Sequence, residues 1–490
     1  MVSVTHGVSF PAQPDGRQSS TAVGREVVAD ALRPVDPVGA LGAEQETAWR
    51  SRYLVHFRRL IEAGIGTPEA WRSIAESGLE AVHRRMVVSE ESGEELPLAS
   101  LLEAHPNRIL ETVEVKGEAE PEHELVVPYL GRHLHGAALR DQLSEWCGRG
   151  VIEPSAADAV VEVSGNPGWL RLEGHQVVVL GAGAEMGPLG PLLRWGATVA
   201  AVDLPTSAIW QRVLGVARAG AGRLLVPVRD GVGADVDTAA AAGVDLLAEV
   251  PEVAEWLRTL DGRLVLGNYL YADGGTHVRV CVAADVLATR LTRTRLDTAL
   301  AYLATPTDVF VVPRAAVEAS TRAYVERSTP AKLVGRPLRW ATRGRLLHRA
   351  YPPGADPGIG DSLVPVQGPN YALAKRIQRW RAAVGRHEGQ LVSLHVAPST
   401  RTRSVVKNRA LAAAFAGAHR FGVEIFAPDT ANTLMAALLV HDITRGVPTH
   451  QHPWQDEAYA AVHGGLWRAA YEPRSVLGLA AVLGYASARG

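Results

Sequence analysis

The sequence predicts an α/β protein in which a doubly wound parallel sheet follows a mainly helical N-terminal domain. Short apolar runs rich in β-branched residues recur from Gly174 onward, and helical patterns lie between most of them. Such runs are typical of strands buried on both faces of a parallel sheet, and their alternation with helices indicates right-handed crossovers. Before Gly174, apolar residues recur mainly at three- and four-residue spacing, which indicates amphipathic helices.

These patterns divide the 490-residue chain into four segments. Residues 1–45 lack a sustained period and are predicted to form a flexible arm. Residues 46–170 are predicted to form the mainly helical domain. Residues 171–440 are predicted to form the sheet domain, with an insertion at about 315–365, and residues 441–490 a helical extension.

The individual elements are predicted from periodicity and from residue type. Helices are expected from Glu46, over Pro68–Glu80 and over Leu134–Gly148. The predicted strands share short apolar sequences, and they are Val177–Leu180, Thr198–Val202, Leu224–Val228, Arg263–Leu266, Asp308–Val312 and Leu391–Val396.

Composition indicates an ordinary globular protein with reduced thiols. The chain is 47% hydrophobic and 21% charged, and its formal net charge of -2 gives no reason to expect nucleic acid as a partner. Its start lacks the features of a signal peptide, and no apolar stretch is long enough to span a membrane. The two cysteines, Cys147 and Cys281, lack any partner motif. We therefore expect a cytoplasmic protein with no membrane partner.

A glycine-rich turn follows the first predicted strand. Its sequence is Gly181-Ala-Gly183-Ala-Glu-Met-Gly187, and a second strand ends at Asp203. Gly181 permits a tight turn, Gly183 permits close approach of a pyrophosphate, and Gly187 permits close packing of the next helix. A carboxylate at Asp203 can accept both ribose hydroxyl protons and would repel a 2′-phosphate. The pattern predicts a Rossmann domain that binds NAD rather than NADP, although S-adenosylmethionine would suit the same residues.

A tyrosine and a lysine occur four residues apart in Gly368-Pro-Asn-Tyr371-Ala-Leu-Ala-Lys375, so on a helix they share one face. A nearby ammonium stabilises a phenolate and lowers the pKa of the tyrosine. The spacing therefore predicts an acid–base pair that exchanges a proton with a substrate hydroxyl or carbonyl.

This pair resembles the catalytic Tyr-x-x-x-Lys of the short-chain dehydrogenase/reductase superfamily. Pro398 and Thr402, after the last predicted strand, match the family's proline-containing loop beside the nicotinamide. Asn268 and Asp230 are similar to residues that the family places around the cofactor, at the ends of the fourth and third strands. The resemblance covers about residues 174–442. It implies an NAD(P)-dependent oxidoreductase that interconverts a carbonyl and an alcohol on a small organic substrate.

Three features depart from the family pattern. The glycines are spaced differently, some 55 residues separate the fifth predicted strand from Tyr371, and the serine expected about a dozen residues before the tyrosine is matched only by Ser362, nine residues before it. The resemblance implies that Ser362 polarises the substrate oxygen. Two alternatives stay open. An S-adenosylmethionine-dependent methyltransferase would use the same glycine loop and Asp203, and the departures favour a catalytically inactive nucleotide-binding sensor or scaffold.

Two further segments contain residues that are suited to binding. Thr321–Ala350 carries eight Lys or Arg and one acid, which suits either a solvated insertion or a clamp for an anionic substrate. His450-Gln-His452 has no identifiable third ligand, so no metal site is predicted. The helical N-terminal domain is predicted either to close the cleft or to form a contact in a homo-oligomer.

Overall fold

The computed structural model of the chain describes residues 6–229, 237–343 and 345–487. The strands, in chain order, are β1 (Gly7–Ser9), β2 (Val87–Ser89), β3 (Glu95–Pro97), β4 (Leu110–Lys116), β5 (Val127–Tyr129), β6 (Arg132–Leu134), β7 (His175–Leu180), β8 (Thr198–Val202), β9 (Arg223–Arg229), β10 (Arg263–Asn268), β11 (Ala299–Ala304), β12 (Val309–Val312), β13 (Gly358–Asp361) and β14 (Val392–Val396).

The α-helices are α1 (Ser20–Leu32), α2 (Pro37–Glu44), α3 (Trp49–Gly64), α4 (Pro68–Arg85), α5 (Gly136–Gly148), α6 (Pro154–Gly165), α7 (Leu189–Arg194), α8 (Ser207–Ala219), α9 (Thr238–Ala241), α10 (Val250–Thr259), α11 (Gly275–Thr294), α12 (Arg314–Val325), α13 (Thr329–Ala341), α14 (Gly368–His387), α15 (Arg403–Lys407), α16 (Arg409–Gly417), α17 (Pro428–Arg445), α18 (Pro453–Ala458) and α19 (Pro473–Ser487). Short 3-10 helices cover Leu98–Leu102, Pro167–Arg171, Pro365–Gln367 and Ala418–Phe421.

The centre of the fold is a seven-stranded sheet with the order β14-β11-β10-β7-β8-β9-β4. All neighbours are parallel except β4, which pairs antiparallel with β9 at one edge. Numbered along the chain, the six parallel strands lie in the order 6-5-4-1-2-3, with the reversal between β7 and β10. This is the strand order of a doubly wound dinucleotide-binding fold. The prediction of a doubly wound parallel sheet is confirmed.

Successive side chains of a strand point to opposite faces of the sheet. Because both faces are covered, the strands appear in the sequence as continuous apolar runs. In β7, Val178 and Leu180 belong to one apolar core, whereas Val177 and Val179 belong to a second core on the opposite face. All four side chains are buried. Burial of each such side chain stabilises the fold by about 1.5–3 kcal/mol, so a strand covered on both faces consists mainly of apolar residues.

The prediction of the fifth parallel strand is wrong. Residues Asp308–Val312 do include a strand, β12, but it pairs antiparallel with β13 in a separate two-stranded ladder. The fifth parallel strand is β11, which pairs with β10 and β14. Its sequence, Ala-Leu-Ala-Tyr-Leu-Ala, contains no β-branched residue, so strand propensity does not reveal it.

The prediction of a flexible arm over residues 1–45 is wrong for its described part, residues 6–45. Helix α1 begins after Ser19, whose side chain caps it, and it packs against α2, α3 and α4. Val27, Val28 and Leu32 are completely buried. Several small residues in α1 weaken its apolar period, so only the tertiary contacts reveal the helix.

The predicted helices of residues 46–170 are present as α3, α4 and α5. However, this segment is not a separate helical unit. Strand β4 forms the edge of the central sheet, and α3 and α4 pack against α14. Strand β4 alternates apolar residues with exposed glutamates such as Glu111 and Glu114, as expected for a sheet edge exposed to water.

Residues 441–487 contain the end of α17, the short helix α18 and α19, which packs against α16, with loops between them. The insertion holds α12, α13 and β13. Among the helices that the structure describes, none is long and apolar enough to cross a membrane.

Candidate functional site

A cavity of about 510 Å³ lies at the carboxyl ends of β11 and β14. Ligands of doubly wound sheets bind outside the carboxyl ends of the strands, so the position of this cavity is the expected one. One wall is polar and includes Thr305, Tyr371 and Lys375. Another wall comes from α15 and α16 and includes the apolar residues Leu411 and Phe415.

Four of the predicted site residues line this cavity together. Tyr371 and Lys375 lie in the first two turns of α14, and both side chains are half-buried. Pro398 and Thr402 follow β14 and lie on the same lining. The helix begins at Gly368 with Pro369 in its first turn, where a missing N–H removes no intrahelical hydrogen bond. The structure therefore brings the Tyr-x-x-x-Lys pair and the proline-containing loop into one site.

Lys375 is oriented by two hydrogen bonds. Its Nζ donates to the Leu303 carbonyl over 3.2 Å and to Oε1 of Gln378 over 3.0 Å. Gln378 Nε2 in turn donates to Oδ1 of Asn268 over 3.1 Å. Asn268 is only 5% exposed, so the structure connects it to Lys375 through Gln378 rather than to the cavity. Burial lowers the pKa of Lys375.

The pKa of Tyr371 shifts in the direction opposite to that predicted. Burial raises it to about 12, and a hydrogen bond with the Thr305 side chain lowers it only in part. The Lys375 ammonium is directed toward Leu303 and Gln378 instead. In this state the phenol of Tyr371 is therefore protonated at neutral pH, because its removal from water outweighs the interactions that would favour a phenolate.

The hydroxyl beside Tyr371 is that of Thr305, which follows β11, and not that of Ser362. Ser362 is 2% exposed, its backbone N–H donates to the Asp308 carbonyl, and it is not part of the cavity lining. Thr305 Oγ1 lies 2.9 Å from the Thr307 hydroxyl. Because the predicted fifth strand was Asp308–Val312, Thr305 was not predicted as a site residue. Recognition of Ala299–Ala304 as a strand would have placed a hydroxyl at its carboxyl end.

Sequence reasoning also missed His277, which lies near the start of α11 and lines the cavity. Its side chain is 1% exposed, and its ring centroid lies 5.4 Å from that of Tyr371. Neither ring nitrogen makes a hydrogen bond of ordinary geometry. Burial, together with the charge of Lys375, lowers the pKa of His277 to about 3, so the ring is neutral at physiological pH. No short-range pattern signals this residue.

The glycine turn adopts a conformation that requires glycine at its first position. Gly181 has a φ of +83°, and a Cβ at that position would lie 3.1 Å from Cα of Leu270. The Gly183 N–H donates to Oδ2 of Asp203 over 2.7 Å, and the Leu204 N–H donates to Oδ1 over 2.8 Å. Burial raises the pKa of Asp203.

Asp203 is suited to hold the adenosine ribose of a dinucleotide, whereas the Gly183 and Gly187 N–H groups of the turn are already bonded within the protein. A carboxylate has about four acceptor sites, so Asp203 retains capacity for ribose hydroxyls beside its two backbone partners. The helix after the turn is short, because α7 begins only at Leu189 and ends at Arg194. The Gly187 N–H donates to Oδ1 of Asn432 over 3.0 Å. Asp230, the predicted adenine contact, lies outside the described residues.

The two other candidate segments lie away from this cavity. The described arginines of residues 321–350 do not line it, and Arg327 instead stacks on Tyr324 at 3.6 Å. Their role as an anion clamp stays a prediction. His450 Nδ1 contacts Asp456, and His452 Nδ1 accepts from the Trp454 N–H. Within the described ranges, no group of three or more His, Cys, Asp or Glu side chains is arranged to hold a metal ion.

The solved structures to which this chain is similar include two domains with weak similarity. No family model matches the chain, and no curated protein is significantly similar to it. The terminal R domain from the myxalamid PKS-NRPS biosynthetic pathway aligns at 14% identity over 53% of this chain and 61% of that chain, with a TM-score of 0.29. A thiolation-reductase di-domain from an archaeal non-ribosomal peptide synthetase aligns at 11% identity over 59% and 56%, with a TM-score of 0.27. At these scores the fold assignment rests on the strand order alone.

Proposed function

We propose that the protein is an NAD(P)-dependent oxidoreductase of the short-chain dehydrogenase/reductase type, which interconverts a carbonyl and an alcohol on a small organic substrate. One observation carries the proposal: Tyr371, Lys375 and Thr305 line a single cavity at the carboxyl ends of parallel strands. A proton donor, an ammonium and a second hydroxyl in that position suit chemistry at a substrate oxygen.

The glycine turn and Asp203 would hold the dinucleotide, with the carboxylate on the adenosine ribose. Because that carboxylate would repel a 2′-phosphate, NAD is favoured over NADP. When bound, the dinucleotide supplies or accepts the hydride.

The side chains of the cavity suit proton transfer to a carbonyl oxygen. Tyr371 is protonated at neutral pH and would give its phenolic proton to that oxygen as the carbonyl becomes an alcohol. The Thr305 hydroxyl bonds with Tyr371 in this state, and with substrate bound it would instead donate its one proton to the same carbonyl oxygen. The apolar wall at Leu411 and Phe415 would contact the carbon skeleton of the substrate. Tyr371 would then regain its proton from water that enters the cavity.

A thermal-shift panel with NADH, NADPH, S-adenosylmethionine and S-adenosylhomocysteine tests the cofactor. A ligand that binds only the folded state stabilises it by RT ln(1 + [L]/Kd), so we expect NADH to give the largest shift. Stabilisation by the two S-adenosyl compounds alone would replace the proposal with the methyltransferase alternative.

Tyr371→Phe tests the acid role, with NADH oxidation followed against a panel of aldehydes and ketones. Loss of the proton donor should lower turnover at least about a hundredfold, with NADH affinity retained. Tyr459→Phe is the matched control, since it removes a half-buried phenol outside the cavity. Equal turnover by Tyr371→Phe and the control would refute the assignment.

A second candidate is a nucleotide-binding protein without turnover. It is favoured by the orientation of Lys375, whose Nζ donates to the Leu303 carbonyl and to Gln378 rather than to the phenol of Tyr371. This candidate predicts a shift with NADH but no oxidation of NADH with any carbonyl compound.

A further inference from the structure

Most backbone N–H groups of the glycine turn are already bonded within the protein. Those of Gly181 and Ala182 donate to the Val202 carbonyl, and that of Ala184 donates to the Gly181 carbonyl. The bonds of Gly183 to Asp203 and of Gly187 to Asn432 raise the count to five of the seven N–H groups in residues 181–187. A phosphate that binds to a turn of this kind needs such N–H groups as donors.

Asn432 is the partner that comes from farthest along the chain. Its Oδ1 accepts from the Gly187 N–H over 3.0 Å, and its Nδ2 donates to the Glu185 carbonyl over 2.9 Å. The carboxamide therefore bridges two residues of the turn. Its neighbours Ala431 and Thr433 are completely buried in α17, so the backbone that presents Asn432 is held by packing.

We propose that Asn432 lowers the affinity of the glycine turn for nucleotides, because it occupies the Gly187 N–H and a phosphate-bearing ligand binds there only by displacing it. The inference rests on the proposed function, because it assumes that the turn binds a dinucleotide. The carboxamide oxygen stands where a phosphate oxygen would accept the same hydrogen bond. Each nucleotide then binds with a lower affinity than the open turn would allow, because two hydrogen bonds must first be broken.

The contacts of the turn also connect it to the cavity. Glu185 Oε2 accepts from the Arg403 N–H over 2.8 Å at the start of α15. Met186, from the turn, and Ser404, from α15, both line the cavity. Displacement of Asn432 would therefore change a segment that shares contacts with the cavity wall.

Two variants of Asn432 test the inference through the Kd values of NADH and of ADP, measured by isothermal titration calorimetry on the full chain. Asn432→Ala removes both hydrogen bonds, and we expect it to lower both Kd values roughly tenfold. Asn432→Asp keeps an acceptor for the Gly187 N–H and adds a negative charge that repels phosphate, so it should raise both Kd values roughly tenfold. ADP has no nicotinamide, so its Kd measures binding at the turn separately from binding of the nicotinamide.

The matched control is Asn166→Ala, since Asn166 also donates from Nδ2 to a backbone carbonyl but is exposed and lies outside the turn. It should leave both Kd values unchanged. Tighter binding by Asn432→Ala supports the inference, including the case in which the wild-type chain shows no measurable binding.

If the wild type binds the nucleotides and Asn432→Ala binds them equally well or more weakly, the inference is wrong and the proposed function stands. Absence of binding in the wild type and in Asn432→Ala overturns both. If Asn432→Ala does not fold, the Asp variant decides, because unchanged or tighter binding by it is incompatible with displacement of a neutral carboxamide by phosphate.

Discussion

His277→Phe is expected to change the pH dependence of stability in a way that follows from the burial of the imidazole. The ring is 1% exposed, lacks hydrogen-bond partners of ordinary geometry, and has a pKa lowered from 6.5 to about 3. A base whose pKa is depressed in the folded state binds fewer protons than it does in the unfolded state. Its contribution therefore destabilises the fold progressively as pH falls below about 6.5.

The size of the effect follows from linkage. Protonation of an unfolded-state imidazole with pKa 6.5 favours the unfolded chain by about 0.2 kcal/mol at pH 7 and by about 2 kcal/mol at pH 5, while the folded-state ring stays neutral at both. Phenylalanine removes this difference of about 2 kcal/mol. It also removes two buried ring nitrogens that make no hydrogen bond of ordinary geometry, so the variant should be at least as stable as the wild type at pH 7.

Urea unfolding at pH 7 and pH 5, for the wild type and for His277→Phe, measures the effect. The stability gap between the two proteins should widen by about 2 kcal/mol at the lower pH. His133→Phe controls for the introduction of an aromatic ring, because the His133 side chain is exposed. A gap that is the same at both pH values would refute the assignment of a buried neutral imidazole at His277.

Two substitutions test the fold around the site. Gly181→Ala should destabilise the protein by at least about 1–2 kcal/mol, because Gly181 has a φ of +83° and its Cβ would lie 3.1 Å from Leu270, and the urea midpoint measures the loss. Asp308→Ala should cost about 3–5 kcal/mol, because Asp308 is the buried partner of Arg376 and Arg379 at 2.9 and 2.6 Å. The lowered pKa of Asp308 means that this stabilisation is present above its unfolded-state pKa and is lost as pH falls through the folded-state value, so the Asp308→Ala deficit should shrink in acid. A deficit that does not depend on pH would contradict the ion-pair explanation.

Local sequence patterns were sufficient for much of the parallel sheet. Strand β8 occupies Thr198–Val202 as predicted, because β-branched residues buried on both faces leave a continuous apolar signature. The positive φ at Gly181 and the position of Asp203 at the end of β8 likewise follow from a pattern of nearby residues. The four-residue spacing of Tyr371 and Lys375 placed both on one helix, and the proline-containing loop that follows shares their cavity.

Contacts between distant parts of the chain determine the features that these local patterns did not predict. Strand β11 has little intrinsic strand propensity and is a strand because β10 and β14 pair with it, and its position makes Thr305, rather than Ser362, the neighbour of Tyr371. The direction of the Tyr371 pKa shift depends on how much water the folded chain excludes. Asn432 reaches the glycine turn only because α17 packs beside it. Hydrophobic period, turn chemistry and residue spacing act over a few neighbours, whereas burial and hydrogen-bond partners depend on residues that only folding brings together.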